Sequence, residues 1–170
     1  MLRSLRALAS RLELRLHATL GPDVVVMGRI WLRGGGEIIV GARTILDGRS
    51  NPIELNCAEG AVLRIGEDVI VEGGCSIEAR RSVTIGSGAR LRAFAKIIDN
   101  HFHQVRGDRH SAPDSAPVVI EEDVEIGRRA IVLPGAHIGR GATLCAGAVV
   151  TRRIPPGAFA RGVPAVVRSA

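Results

Sequence analysis

Three of the five histidines, His101, His103 and His110, lie close together in one polar stretch. An imidazole titrates near neutral pH, so it can take a proton from a hydroxyl or an amine under physiological conditions. The same ring is also a common metal ligand, and many loop histidines are simply exposed to solvent. The stretch therefore indicates a general base, a metal site or an ordinary surface loop.

The basic residues exceed the acidic ones by six, and all of them except Lys96 are arginine. This balance favours a polyanionic partner such as a phosphorylated cofactor, an acidic glycan, nucleic acid or an anionic lipid surface. Nucleic acid fits least well, because aromatic residues make up only 2 % of the chain and no helix-turn-helix, RNA-binding or zinc-finger pattern is present. We expect no nucleic-acid partner.

The three cysteines, Cys57, Cys75 and Cys145, are odd in number, and no Cys-x-x-Cys pair occurs. We expect small buried thiols in a reducing compartment rather than a disulfide framework or a zinc site. No apolar run approaches the ~18 residues of a membrane span. A cytoplasmic protein is therefore expected.

The elements that position the histidines are predicted by a repeat of six residues. A small or slender residue stands two positions before each member of an aliphatic series, and glycines follow at regular offsets. A helix would rotate such a series around its axis, whereas residues i and i−2 of a strand point to one side. Short parallel strands joined by corners, which form a solenoid, are therefore predicted. The aliphatic series is Ile120, Ile126, Val132, Ile138, Leu144 and Val150.

The same spacing continues upstream with irregularities. One set is Ile65, Val71 and Ile77, and the next is Ile85, Leu91 and Ile97, offset by a two-residue slip. The Pro155-Pro156 pair predicts the end of the coil, because proline cannot donate to a ladder. We therefore expect an amphipathic helix over residues 1–20, a solenoid domain over 21–156 and a tail over 157–170, with the helix and the tail as caps.

The predicted N-terminal helix has an apolar face and an arginine face. A helix that packs on the body or on a neighbouring subunit is favoured, while contact with an anionic membrane surface and a cleaved targeting segment are alternatives. The apolar face comprises Leu2, Leu5, Leu8, Ala9, Leu12, Leu16 and Leu20, and the basic face Arg3, Arg6, Arg11 and Arg15.

One large excursion interrupts the repeat. Ile97 and Ile120 are 23 positions apart, so a loop over 98–117 is inserted where six positions would suffice. Function is expected in this loop, which contains the three clustered histidines. His137 lies between two inward positions and is predicted to point to solvent.

Over residues 38–168, and most specifically over 97–168, the chain resembles the hexapeptide-repeat acyltransferases. The resemblance rests on the hexads, the loop start Ile98-Asp99-Asn100, the Phe102-His103 pair, the Ser115–Ile120 segment and the Gly162-Val163-Pro164-Ala165 tail. The bacterial sugar O-acetyltransferases of the maltose, galactoside and colanic-acid type look most similar. The resemblance implies an all-β, left-handed parallel β-helix. It also implies a homotrimer with active sites between subunits, acetyl-CoA as co-substrate, and a sugar or polysaccharide hydroxyl as acceptor.

The family's Asp-x-x-Phe-His pattern places the general base on His103, whereas counting back from Pro117, as the maltose and galactoside enzymes suggest, places it on His101. Asp99 would orient the ring or cap the loop. A thiolate leaves readily, so no covalent acyl-enzyme is required. No metal is expected.

The resemblance also places coenzyme A. The matching contact positions are Arg128, Ala146, Thr151 and Arg152, and Arg168 on the tail would add a cation for the phosphates. Three departures from the family pattern concern Glu125, which stands where tryptophan is common, Val166, where a basic residue is usual, and Glu72, nearest to an acceptor-binding asparagine.

Three alternatives stay open. N-acetylation of an amino sugar or a serine-type acceptor needs the same base. A zinc-dependent γ-type carbonic anhydrase uses the same kind of solenoid, but needs three histidines from separate coils. A non-enzymatic β-helix scaffold would need neither the loop histidines nor a cofactor groove.

Overall fold

The computed structural model of the chain describes residues 12–101 and 115–168. Residues 12–17 are helical, and strands build the rest of the described fold. In chain order they are β1 (Thr19–Leu20), β2 (Val25–Arg33), β3 (Glu37–Val40), β4 (Ile45–Cys57), β5 (Val62–Ile65), β6 (Ile70–Glu72), β7 (Ser76–Ala79), β8 (Ser82–Ile85), β9 (Arg90–Leu91), β10 (Lys96–Ile98), β11 (Val118–Ile120), β12 (Glu125–Ile126), β13 (Ile131–Val132), β14 (His137–Ile138), β15 (Thr143–Leu144), β16 (Val149–Val150), β17 (Phe159–Arg161) and β18 (Val166–Arg168).

The strands stack in parallel on three faces. Face A is the sheet β1-β3-β5-β8-β11-β14. Face B contains β6-β9-β12-β15-β17 and face C contains β7-β10-β13-β16; the long strands β2 and β4 bend across the corner between B and C and join the two faces into one sheet. The chain runs A, B, C and repeats, so the strands form one parallel coil. The fold is the predicted left-handed parallel β-helix of hexapeptide repeats.

The inward-facing aliphatic residues form one column per face, and each member is at most 1 % exposed. Burying a valine, leucine or isoleucine fully stabilises a fold by ~1.5–3 kcal/mol, so these columns are the main source of stability. All twelve aliphatic positions predicted over 65–97 and 120–150 lie in them. The columns are Val40, Ile65, Ile85, Ile120, Ile138 and Ile154 on face A, Leu46, Val71, Leu91, Ile126, Leu144 and Ala160 on face B, and Leu55, Ile77, Ile97, Val132 and Val150 on face C.

The glycine after the aliphatic residue of a hexad is required by a close approach between coils. A Cβ atom on Gly66 would lie 2.6 Å from the backbone nitrogen of Ser87 in the next coil. A Cβ atom on Gly127 would overlap the backbone oxygen of Leu144. The Ile-Gly pairs in the sequence therefore mark corners where successive coils touch.

The N-terminal segment differs from the prediction in two respects. Thr19 and Leu20 pair with β3 as strand β1, so the helix does not extend to residue 20. In its described part Leu14 is fully buried on the core, while Leu12 and Leu16 of the predicted apolar face are 60 % and 72 % exposed. Residues two apart on a helix point to nearly opposite sides, so burying Leu14 turns the other two outward.

The prediction that the coil stops at Pro155-Pro156 is wrong. Ile154 still pairs with Ile138, and β17 adds a further parallel strand on β15. At the matching position of earlier coils the amide donates to the next coil, as Gly86 does to the oxygen of Ile120 and Gly139 to that of Ile154. In the described residues no coil follows Ile154 on face A, so the missing amide of Pro155 costs no ladder hydrogen bond.

The end of the β-helix is then closed by the tail. Strand β18 folds back antiparallel on β17. Val149 donates its amide to the oxygen of Gly162, and Ala165 donates to the oxygen of Val149. The tail thus covers the last strands of faces B and C.

Candidate active site

The excursion leaves the β-helix at the corner between faces C and A, after β10, and its base is fastened by Asp99. This side chain is fully buried. Its Oδ1 accepts a hydrogen bond from the amide of Arg80 at 2.7 Å, and its Oδ2 accepts from the amides of Arg81 and Ser82 at 2.7 and 2.8 Å. Successive amides that converge on one carboxylate form an anion-binding turn. The described contacts of Asp99 therefore anchor the loop.

The residues that follow are placed differently. Asn100 is 1 % exposed, and its Nδ2 lies 3.4 Å from Oδ1 of Asp99. Its Oδ1 has no hydrogen-bond partner among the described residues. His101 is exposed to solvent. His103 and His110 lie outside the described residues. In the described part of the loop, Asp99 and Asn100 are buried and His101 is exposed to solvent.

A cavity of about 520 Å³ lies along the corner between faces B and C. Two of the predicted cofactor residues, Arg128 and Ala146, line it. In the described part of the chain Arg128 forms no ion pair, so its charge is available to a ligand. The described residues that line it are Glu72, Arg92, Glu125, Gly127, Arg128, Thr143, Leu144, Cys145 and Ala146.

A second cavity of about 340 Å³ adjoins the first at Cys145 and contains the predicted Arg168, together with Phe159 and Arg161. The predicted Thr151 and Arg152 are exposed after β16, at the corner between faces C and A. Within one protomer, Arg128 and Ala146 therefore lie at the corner between faces B and C, whereas Thr151 and Arg152 lie at the corner between faces C and A. The loop that starts after β10 leaves from this second corner.

Arg92 is a residue of this site that sequence reasoning missed. Its Nη1 donates to Oε1 of Glu72 and its Nε donates to Oε1 of Glu125, both at 3.0 Å. Oε2 of Glu72 also accepts from the amide of Ala93 at 2.8 Å. The hydrogen bond with Glu72, followed by that with Glu125, raises the pKa of Arg92 above its ordinary value. Glu72 and Glu125 had been singled out only as departures from the family pattern.

Phe94 is a second missed feature of this corner. Its φ is +64°, in the left-handed region that bulky residues rarely adopt. The ring lies where a side chain on Gly74 would stand, and the guanidinium carbon of Arg129 is 5.7 Å from the ring centroid. No hexad position signals such a ring, because the corner residue differs from coil to coil.

His137 faces outward as predicted, but it is held rather than free in solvent. Its Nε2 lies 2.6 Å from Oε1 of Glu121, whose Oε2 accepts from the amide of Arg140 at 2.8 Å. The hydrogen bond with His137 is the main reason why the pKa of Glu121 lies below its ordinary range.

The cysteines are free thiols, and Cys57 and Cys75 are buried as predicted. Burial raises the pKa of Cys75 to about 12. Cys145 is only half-buried, between the two cavities, so the prediction for this residue is wrong. Its side chain lies next to the corner rather than in an inward column.

Two further findings concern metals and membranes. Among the described residues, no group of three or more histidine, cysteine, aspartate or glutamate side chains could hold a metal ion. Within the same ranges, no helix has the length and apolar character that crossing a bilayer requires.

Residues 117–152 match the family model for the bacterial transferase hexapeptide, with six repeats. The predicted hexapeptide-repeat character is therefore confirmed. A 2,3,4,5-tetrahydropyridine-2,6-dicarboxylate N-acetyltransferase from Staphylococcus aureus is 39 % identical over 87 residues, which cover 51 % of this chain. The chain spans only 30 % of the length of that relative.

Two solved structures illustrate the likeness in fold. A mutant of AntD, an N-acyltransferase from Bacillus cereus, in complex with dTDP-4-amino-4,6-dideoxyglucose and coenzyme A, superposes with a TM-score of 0.79 and 17 % identity over 95 % of this chain and 89 % of that one. Galactoside acetyltransferase in complex with coenzyme A superposes with a TM-score of 0.65 and 24 % identity over 94 % of this chain and 68 % of that one.

Proposed function

We propose that this chain, in which residues 117–152 are hexapeptide repeats of the bacterial transferase family, is an acetyl-CoA-dependent acyltransferase that acts on a sugar or polysaccharide hydroxyl. The observation that carries the proposal is the division of the cofactor residues. Arg128 and Ala146 lie at one corner, and Thr151 and Arg152 share the other with the excursion. Both sets can serve one donor only if a site is formed between two protomers.

The residues present suit coenzyme A. Its phosphates require cations, and Arg128 and Arg168 line adjoining cavities without forming ion pairs in the described residues. Its pantetheine arm requires a narrow surface, and the small Gly127 and Ala146 allow close approach. When bound, acetyl-CoA supplies an acyl group activated as a thioester.

The chain's own contribution is the handling of a proton. In this proposal the imidazole of His103, or of His101, takes the proton from the acceptor hydroxyl, which makes its oxygen nucleophilic without a covalent acyl-enzyme. Asp99 acts as a positioning residue, since its carboxylate fastens the base of the loop to the amides of residues 80–82. No metal takes part.

The proposed assembly is a homotrimer with three sites between subunits. The membrane contact of residues 1–20 stays a prediction, and cosedimentation with anionic vesicles before and after exchanging Leu12 and Leu16 for serine would test it. These two side chains are exposed, so their exchange leaves the core intact.

N-acetylation is the second candidate, and the matched relative from Staphylococcus aureus favours it, because that protein is named an N-acetyltransferase. A panel of sugars that differ only in a hydroxyl or an amino group at one carbon separates the two reactions.

Release of free coenzyme A from acetyl-CoA over a panel of sugars and glycans tests the function. Substituting the general base should lower the turnover number roughly 10²–10⁴-fold, so we expect that loss from His103→Ala or, failing that, from His101→Ala. His17→Ala, which alters an exposed histidine that lines neither of the two cavities described above, is the matched control and should retain full activity. Full activity in the double variant of His101 and His103 would reject the mechanism.

The donor site has its own test. Arg128→Gln should raise the KM for acetyl-CoA about tenfold, as expected for the loss of one charged hydrogen bond of roughly 1.5 kcal/mol. The control is Arg64→Gln, which removes an exposed arginine from face A. Equal KM values for the two variants would remove Arg128 from the donor site.

A further inference from the structure

The cavity at the corner between faces B and C has two electrostatically different ends. Arg128 and Ala146 lie at the end toward the C-terminus of the β-helix, and Glu72 and Arg92 lie at the other end, on earlier coils. Glu125 stands between them. Successive coils are separated by ~4.8 Å, the spacing of paired strands, so the two ends are close enough to hold two parts of one reaction.

The Glu72, Arg92 and Glu125 side chains, here called the carboxylate triad, form one network. The guanidinium of Arg92 bridges the two carboxylates at 3.0 Å on each side. Two carboxylates and one guanidinium leave a formal charge of −1, and the raised pKa of Arg92 keeps its proton in place. The phosphates of a donor are therefore directed away from this end and toward Arg128.

The carboxylate triad retains hydrogen-bonding capacity toward the cavity. In the described residues Oε2 of Glu125 has no partner, and the glutamate side chain is 43 % exposed. Arg92 uses its Nε and Nη1 toward the two glutamates, whereas a guanidinium carries five N–H donors. The same surface can thus accept from a hydroxyl or an ammonium group and donate to a hydroxyl oxygen.

We propose that the carboxylate triad is the acceptor end of the cavity and selects a saccharide that carries hydroxyl or amino groups and no negative charge next to the reacting position. The inference rests on the proposed function and names the class of its acceptor. A carboxylate on the sugar would face Glu72 and Glu125 at short range, and juxtaposed like charges are rejected at an interface. Arg92 still has N–H groups that can donate, but its single positive charge is already outweighed by the two glutamates, so the triad keeps a net charge of −1 that repels a carboxylate.

Three monosaccharides with the same ring test the proposal: methyl glucoside, glucosamine and glucuronate. Binding to the wild-type protein without acetyl-CoA is measured by saturation-transfer NMR, and transfer is measured by coenzyme A release. We expect the neutral and amino sugars to bind at least tenfold more tightly than glucuronate. Glu125→Gln should reduce that difference to less than threefold, and Glu125→Asp should restore it. Glu122→Gln, which removes an exposed glutamate paired with Arg140 at 3.0 Å on another corner, is the matched control and should retain it.

Four results would overturn the inference. They are equal binding of glucuronate and methyl glucoside, no binding of any of the three sugars, unchanged discrimination in Glu125→Gln, and a Glu125→Gln variant whose KM rises for acetyl-CoA rather than for the sugar. Because binding is measured without a donor, discrimination with no transfer would reject the proposed function alone. Transfer without discrimination would reject the inference alone.

Discussion

Substituting Asp99 by asparagine tests how the excursion is held. The carboxylate is fully buried and accepts three amide hydrogens, one on Oδ1 and two on Oδ2. Asparagine keeps one acceptor oxygen and replaces the other by an NH₂ group. The asparagine side chain is best oriented with its oxygen toward the amides of Arg81 and Ser82. Its NH₂ group then faces the amide of Arg80, and two donors cannot form a hydrogen bond with each other.

The magnitude follows from the bonds lost. A hydrogen bond to a charged group contributes about 1.5–3 kcal/mol, and a neutral one about 1 kcal/mol. Asp99→Asn removes one charged bond and weakens two others, while it relieves the burial of a charge. We expect a net loss of about 3 kcal/mol. With a urea slope of about 2 kcal/mol/M, the unfolding midpoint should fall by roughly 1.5 M.

Urea unfolding at one fixed protein concentration measures this change, and amide hydrogen exchange at residues 80–82 localises it. Asp23→Asn is the matched control, because Asp23 is an exposed corner residue with φ +58°, which asparagine adopts readily. Its free energy of unfolding should stay within about 0.5 kcal/mol of wild type. A midpoint for Asp99→Asn equal to that of the control, with unchanged exchange at 80–82, would refute the anchoring role.

Three further outcomes are expected. His137→Gln should raise the pKa of Glu121 toward its ordinary range, as measured by carboxyl NMR titration, because the His137 hydrogen bond is the main cause of its lowering. A carboxyl group whose pKa is lowered by folding stabilises the protein at pH values above its unfolded-state pKa, and this stabilisation is lost as the pH falls through the folded-state pKa. Below pH ~4.3 the wild-type protein should therefore lose more stability than the variant, and equal acid sensitivity would contradict this. Iodoacetamide should label half-buried Cys145 first and reach Cys57 and Cys75 only on unfolding, since burial raises the pKa of both thiols; mass spectrometry that found Cys75 labelled first would disprove it. Gly66→Ala should destabilise the fold by about 2 kcal/mol or more, because the added methyl group overpacks against the next coil. Gly35→Ala, whose methyl group would meet no atom of the described residues within 4 Å, should change the stability little, and matching thermal midpoints for the two variants would argue against the contact at Gly66.

The coil was predictable because its signal is local. An inward aliphatic residue every six positions places each strand on the next face, and all twelve predicted positions are at most 1 % exposed. The two-residue slip between Ile77 and Ile85 was visible as well. The reason for the slip was not predictable, because the extra residues Arg80 and Arg81 present their amides to Asp99 in the following coil, and this contact leaves no mark in the sequence.

The cavity residues were predictable only in part, because they depend on which residues of different coils stand side by side. Arg92 meets Glu72 from 20 residues away and Glu125 from 33 residues away. The corners differ in length from coil to coil, and these differences change which residues of successive coils lie side by side. Counting hexads along the sequence therefore cannot predict these contacts. The tail was mispredicted because Pro155 follows the last described coil of face A, where no further coil needs its amide, while faces B and C continue.

The reversal at the end of the chain limits growth of the molecule. A parallel solenoid offers its last strands as a template on which another copy could add and extend a fibre. Here β18 covers the last strand of face B. On face C, Gly162 and Ala165 form hydrogen bonds with the backbone amide and oxygen of Val149. On face B a further copy would meet the three-residue strand β18, which runs in the opposite direction and cannot continue a parallel ladder. The folded-back tail therefore blocks strand addition to faces B and C at this end of the β-helix.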